Sequence, residues 1–167
     1  MLVSMKKWYL IGLGSFVAVG GIIIVALLLG QKPPIPRPIK QQVTSTILAP
    51  KSSSIVTDRE SVKYSSNLKL LTFNVQISSI KVVVSEQPTP ENFIDIPQVY
   101  DKVVEGMREY QKFDTANGTV HLTRPKELAG KQAAVLNAKG TLMFAKPEKD
   151  LSDDQWRKFF NSLDVVR

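Results

Sequence analysis

The chain contains 167 residues with a mass of 18.6 kDa, no cysteine and a single histidine, His121. This composition excludes disulfide bonds, thiolate metal sites, cysteine nucleophiles and metal sites with two histidines. The formal charge is +7, but residues 1–50 carry five basic residues and no acid, whereas the rest carries 17 basic and 15 acidic residues. Because nucleic-acid binding needs a basic surface on the folded domain, this near balance predicts no nucleic-acid partner.

The first predicted element is an apolar helix over residues 8–30, a run of 23 residues without a charge. At 1.5 Å per residue it would be about 34 Å long, enough to cross a hydrocarbon core of about 30 Å. A cleaved signal peptide is the alternative, but its apolar region is shorter and small residues precede its cleavage site, whereas this run ends in Leu27-Leu28-Leu29-Gly30. We therefore predict an uncleaved signal anchor of a single-pass membrane protein, with the lipid bilayer as a partner.

The flanking charges predict the orientation of this helix. Lys6 and Lys7 on one side are nearly balanced by Lys32, Arg37 and Lys40 on the other. However, Lys6 and Lys7 adjoin the apolar run and match the basic start of an export signal, whereas Arg37 and Lys40 lie further away. We expect residues 1–7 to be a short cytoplasmic N-terminus and the C-terminal domain to be extracytoplasmic.

Small residues on one face of the same helix are candidates for helix–helix packing. Gly14, Ala18 and Gly21 are spaced four and three residues apart, and small side chains allow close approach of two membrane helices. No strict G-x-x-x-G motif is present, and the ordinary abundance of glycine in membrane helices explains these residues more simply, without a packing partner.

A Pro/Ser-rich linker is predicted over residues 31–57. Pro33, Pro34, Pro36 and Pro38 fall within six residues, and each lacks a backbone N–H and restrains its neighbour. Such a segment favours an extended spacer, although proline-rich segments are also ligands for SH3-type grooves. The folded domain is then expected over residues 58–167.

Three pairs of β-rich segments predict antiparallel hairpins in this domain. Residues 68–76 and 80–84 are rich in β-branched and aromatic residues, and 61–64 is a shorter candidate strand. Asn117-Gly118, between strands 113–115 and 119–123, is typical of a two-residue hairpin turn. A further hairpin is expected between 131–136 and 141–145, with residues 137–140 as its loop.

An amphipathic helix is predicted to begin at Pro97, a favoured first-turn residue. Its apolar stripe consists of Val99, Tyr100, Val103, Val104, Met107 and Tyr110. Asp101, Glu105 and Glu109 are spaced four residues apart, as on a cation-binding face, but a solvated helix face explains them more simply.

A second helix has a complete N-terminal signature. Ser152 and Gln155 match a capping box, and Leu151 and Trp156 match a hydrophobic staple. Asp153 and Asp154 suit the positive end of the helix dipole, so they need no metal ion to explain them. Trp156, Phe159, Phe160 and Leu163 form one apolar stripe.

These elements predict an α+β fold class: an N-terminal transmembrane helix, then a two-layer domain in which two main amphipathic helices cover one face of an antiparallel sheet. The run from Phe113 to Leu163, which ends in LSDDQWRKFFNSL, and the segment SEQPTPENF resemble small bacterial extracytoplasmic domains of the PsbP-like and LpqN-like kind. Such domains are carried by lipoproteins or membrane-anchored proteins. The resemblance covers about residues 60–166 and implies an accessory or interaction role without transferable active-site residues.

Candidate chemistry is sparse. His121 lies in a strand of alternating polarity, but the sequence has no G-x-S-x-G nucleophile elbow and no phosphate-binding G-x-x-x-x-G-K-[ST] loop. We therefore predict no catalytic, cofactor-binding or metal-binding residues and no cofactor. The expected function is a non-catalytic interaction, scaffolding or accessory module of the cell envelope, with another envelope or membrane protein as partner. The alternative is a membrane-anchored hydrolase that uses His121.

Overall fold

A computed structural model describes residues 33–51 and 54–167. Seven strands form one antiparallel sheet in the order β2-β3-β4-β8-β7-β6-β5, and β1 and β9 form a separate two-stranded pair. In chain order, the elements are α1 (Arg37–Gln42), β1 (Leu48–Pro50), β2 (Ile55–Ser65), β3 (Leu70–Ile77), β4 (Ile80–Pro88), α2 (Glu91–Asp95), α3 (Pro97–Gly106), β5 (Glu109–Thr115), β6 (Gly118–Thr123), a short 3₁₀ helix (Lys126–Leu128), β7 (Ala133–Ala138), β8 (Thr141–Pro147), α4 (Asp153–Asn161) and β9 (Leu163–Val165).

The sheet consists of two meanders that meet where β4 pairs with β8. Strands β2–β4 form the first meander and β5–β8 the second, and α2 and α3 connect them. Tight turns join the hairpins: Ser78 and Ser79 connect β3 to β4, and Lys139 and Gly140 connect β7 to β8, all four with positive φ. This backbone conformation matches the right-handed twist of the paired strands. The three predicted hairpins are therefore confirmed, but two of their turns differ from the prediction. The turn between β5 and β6 consists of residues 116 and 117, not of Asn117 and Gly118, and the turn between β7 and β8 consists of residues 139 and 140, not of residues 137–140.

One face of the sheet carries the main hydrophobic core. The strand register places inward-facing residues in a row across five strands, namely Phe73, Val84, Ala145, Ala134 and Leu122. Trp156, Phe159 and Phe160 of α4 are buried in the same cluster, and their rings contact one another. The predicted capping box of this helix is confirmed, because Ser152 accepts from the Gln155 amide while the Gln155 side chain accepts from the Ser152 amide.

Residues 34–51, which we call the N-terminal strap, complete this core. The strap contributes the buried residues Ile35, Val43, Ile47, Leu48 and Ala49 to the main cluster. It is joined to the end of the chain by antiparallel pairing, with Leu48 opposite Val165. It is joined to the sheet by the hydroxyl of Thr141, which donates to the carbonyl of Thr46 across 2.6 Å.

The strap lies within the segment 31–57 that we predicted as a linker. Its prolines precede or begin α1, where the missing N–H is unsatisfied in any case, so they do not prevent a helix of six residues. The apolar residues that follow them are spaced irregularly, and their burial depends on a sheet that is distant in sequence.

The amphipathic helix predicted from Pro97 begins there but ends earlier than the apolar stripe suggests. It ends at Gly106, and Arg108 adopts a positive φ that turns the chain into β5. Tyr110 and Glu109 therefore belong to β5 and not to the helix. The predicted helical row of Asp101, Glu105 and Glu109 is wrong for this reason.

The predicted fold class, a transmembrane helix followed by a two-layer α+β domain with two main amphipathic helices, is also wrong. The domain is mostly sheet, and its α-helices contain only five to ten residues. Across residues 33–51 and 54–167, no helix is long and apolar enough to span a membrane. The prediction of a single-pass membrane protein thus has no support in these residues. The predictions for residues 1–7, for the helix over 8–30 and for Gly14, Ala18 and Gly21 lie outside the described residues.

Candidate functional site

The second face of the sheet is covered by α2 and α3. Val135 and Leu142 alternate with residues of the main core and therefore point to the opposite face, yet both are buried. Val104 of α3 is buried as well, and none of the three belongs to the main cluster. On this face α3 contacts β5, and its Tyr100 ring contacts His121 of β6.

His121 lies beneath this connection, between an acid and an aromatic ring. Its Nδ1 is 2.8 Å from Oε2 of Glu109, which begins the neighbouring strand β5. The Tyr100 ring of α3 meets the imidazole edge-on, with 5.6 Å between ring centroids. Tyr100 also contacts Phe93 of α2, with ring centroids 5.5 Å apart. The three rings and the carboxylate attach both helices to the sheet.

The geometry of His121 resembles one part of a hydrolase triad. A carboxylate accepts hydrogen bonds only, so Nδ1 donates to Glu109 and Nε2 is left for another partner. A triad also needs a nucleophile bonded to that nitrogen, and no hydrogen bond between His121 and a serine is found among the described residues. Burial raises the pKa of the adjacent Tyr100 hydroxyl to about 12, which opposes its use as a nucleophile near neutral pH.

Metal binding has no visible basis in this part of the chain. Across the described ranges, no group of three or more His, Asp or Glu side chains is placed to hold an ion. Asp153 and Asp154 lie in the first turn of α4, where the capping box and the helix dipole account for them.

The outer side of α2 and α3 exposes an apolar surface. Ile94 is 62% exposed, Ile96 53% and Val103 40%, and we call these three residues the α2–α3 ridge. On α3, Val103 lies about 100° around the helix from the buried Val104. The helix therefore has an apolar stripe wide enough to contact the sheet on one side and solvent on the other.

The ridge is accompanied by acidic side chains. Glu91, Asp95, Asp101 and Glu105 are all exposed on the two helices, against the basic Lys102 and Arg108. None of the four acids takes part in an ion pair within the structure described above. This surface is acidic although the whole chain carries a formal charge of +7.

The sequence identified His121 but not its surroundings. Tyr100 was predicted to face the core as part of the apolar stripe, and Glu109 was assigned to the solvated side of the same helix. Ile94 and Ile96 were not identified, because they lie in a short segment between Pro90 and Pro97 without a helical period. The sequence does contain a signal for an exposed apolar surface. Residues 93–104 include more apolar residues than a helix needs when only one of its sides is buried.

In comparisons with known proteins, no family model, curated protein or solved structure matches this chain. None of these comparisons bears on the resemblance to PsbP-like and LpqN-like domains, which stays a prediction.

Proposed function

We propose that the domain is a non-catalytic protein-interaction module that binds its partner through the α2–α3 ridge. The observation that supports this proposal is the exposure of Ile94 and Ile96 beside a helix whose other side is buried. Exposed apolar side chains grouped on one short segment are typical of surfaces that become buried in a complex. Single apolar residues scattered over a surface would need no such explanation.

The charges around the ridge define the chemistry of the partner. Glu91 and Asp95 are exposed in the same short segment as Ile94 and Ile96, and neither has an ion-pair partner among the described side chains. Asp101 and Glu105 are also exposed, but they lie about 160° around α3 from Val103. An apolar surface with an acidic rim favours a protein segment with apolar residues and a basic rim, because opposite charges steer association and suppress other partners. We therefore propose a partner protein with a basic, amphipathic binding segment.

The arrangement around His121 supports a positioning role for this residue. Its imidazole contacts Tyr100 and bonds Glu109, and both contacts fix α3 on the sheet and so place the ridge. In this proposal, His121 acts through the position of the helix and not through a reacting substrate. The competing hydrolase proposal requires the same residue to act as a base.

Site-specific crosslinking followed by affinity measurement tests the proposal. A photoreactive amino acid at position 96 of the full-length protein captures the partner in the source cells, and the same group at Val56 provides a control. Val56 is 61% exposed on β2, so it matches Ile94 in exposure but lies on a different element. The captured protein is then purified, and its affinity for the Ile94→Glu and Val56→Glu variants is measured.

We expect Ile94→Glu to weaken binding by about tenfold or more, because a central apolar contact is replaced by a charge that must be desolvated. Val56→Glu leaves the affinity unchanged. Equal effects of the two substitutions would contradict the assignment of the ridge. A hydrolytic activity that disappears in His121→Ala, with the fold and the melting temperature retained, would favour the hydrolase instead.

A further inference from the structure

A basic cavity on the surface, open to solvent, lies beside α1 and Arg167. It has a volume of about 510 Å³ and is lined by Arg37, Lys40, Gln41 and Arg167. Two guanidinium groups and one ammonium group therefore face one open space. Like charges placed together repel one another, and a bound anion would compensate them.

The backbone holds these side chains in place. Arg37, Lys40 and Gln41 are spaced three and four residues apart and so share one face of α1. The helix is fixed at both ends by the buried side chains of Ile35 and Val43.

Arg167 reaches the same place from the opposite end of the chain. The Val166 amide donates to the carbonyl of Ile47 across 3.0 Å, which aligns the final residues with the strap. The Arg167 guanidinium then donates to the carbonyl of Lys40 at the end of α1. One of its five N–H groups is used in this way, and the remaining donors are available to a ligand.

Among the described residues, no carboxylate forms an ion pair with the three cations. The ion pairs found there include neither Arg37, Lys40 nor Arg167. The sequence itself contains no Asp or Glu before Asp58, so residues 1–57 cannot supply a counterion. The cavity thus concentrates positive charge without an acidic partner.

We infer that this cavity is a binding site for a small ligand that carries a diphosphate group. Guanidinium groups present paired N–H donors that match the geometry of phosphate oxygens, and lysine adds a point charge. Three cations match the charge of a diphosphate better than that of a single phosphate ester. The Gln41 amide adds a neutral donor and acceptor for the remainder of the ligand.

Calorimetric titration of the full-length protein with inorganic pyrophosphate tests this inference, with glycerol 3-phosphate as the monoester for comparison. The test variant is Arg37→Gln/Lys40→Gln, which keeps Arg167 and its bond to α1. The matched control is Lys102→Gln/Lys131→Gln, which removes two exposed positive charges from other elements. Thermal denaturation of each variant shows whether the fold is retained.

We expect pyrophosphate to bind the wild-type chain with a dissociation constant below about 1 mM. The Arg37→Gln/Lys40→Gln variant should bind at least about tenfold more weakly, because two charge-assisted contacts are lost. The Lys102→Gln/Lys131→Gln control should remain within about twofold of wild type.

Three results would overturn the inference: no binding of pyrophosphate at millimolar concentration, equal weakening in both double variants, or equal affinity for glycerol 3-phosphate and pyrophosphate. The second result would show a general effect of charge, and the third a site for monoesters. If the Arg37→Gln/Lys40→Gln variant does not fold, Arg167→Lys replaces it. This substitution keeps the charge but removes the paired donors, and unchanged affinity would then contradict the inference.

Discussion

The backbone amide of Leu48 donates a hydrogen bond to Oε2 of Glu86 across 3.3 Å inside the hydrophobic core. Glu86 is only 2% exposed, and its other oxygen, Oε1, has no hydrogen-bond partner among the described residues. Burial raises the pKa of Glu86 well above its ordinary value of 4.5, whereas the bond from Leu48 acts in the opposite direction. The strap is thus attached to the sheet by a carboxyl group whose charged form is disfavoured by burial.

The first prediction concerns the stability of this attachment at different pH values. Because the folded carboxyl holds its proton more tightly than the unfolded one, the free energy of unfolding should fall as pH rises from 4.5 through the raised pKa of Glu86. Below pH 4.5, the full contribution of Glu86 is present. Glu86→Gln removes the charge without changing the shape, so the variant should be more stable than wild type at neutral and alkaline pH.

Urea denaturation at pH 4.5 and pH 8 measures this effect. The exposed Glu60 provides the control, because Glu60→Gln removes a carboxylate of the same type outside the core. If Glu86→Gln and Glu60→Gln change the pH dependence equally, the buried carboxyl is not its source.

The second prediction concerns Tyr100, whose pKa burial raises from 10.0 to about 12. Its hydroxyl should ionise only at strongly alkaline pH, and the stability that its burial contributes should be lost as pH rises from 10 through 12. A spectroscopic titration of tyrosinate absorbance should show a late step in the wild-type chain that is absent from Tyr100→Phe. Retention of that step in the variant would assign it to another tyrosine.

The third prediction compares two glycines that differ in backbone conformation. Gly106 ends α3 without a positive φ, and a Cβ there would meet no atom within 4 Å. Gly106→Ala should therefore raise the free energy of unfolding by about 0.5–1 kcal/mol. Gly140 has a φ of +77° in the β7–β8 turn, so Gly140→Ala should lower it by about 1 kcal/mol. Thermal melts of the two variants should shift in opposite directions.

The fourth prediction concerns the capping box of α4. Ser152→Ala removes the acceptor for the Gln155 amide and should destabilise the domain by about 1 kcal/mol. Ser66→Ala, in the exposed turn between β2 and β3, should leave stability unchanged. A destabilisation of equal size in both variants would show that the cap itself contributes nothing.

Local signals in the sequence predicted the elements that depend on neighbouring residues. The capping box of α4 depends on a few consecutive residues, and the chain contains the residue types that it requires. The hairpin turns are also local, although Ser78, Ser79 and Lys139 adopt a positive φ that such turns usually assign to Gly, Asn or Asp. The start of α3 at Pro97 was recognisable for the same reason.

The features that could not be predicted depend on contacts between residues that are far apart in the sequence. The strap has no period of its own, and its apolar side chains are buried because β9 and the sheet receive them. The α2–α3 ridge was not predicted, because the spacing of apolar residues along a helix does not show which of them are buried against another element. His121 was visible as a single residue, but Glu109 and Tyr100 reach it only through strand pairing and the passage of α3 over the sheet.

The pairing of Leu48 with Val165 has a consequence for the order in which the protein folds. These residues are separated by almost the entire domain, so the strap can be fixed only after the last strand has left the ribosome. During synthesis, the meanders of the sheet can form while the apolar face that receives the strap is still open to solvent. We expect this interval to be the period in which the nascent chain is most prone to aggregation and most dependent on chaperones.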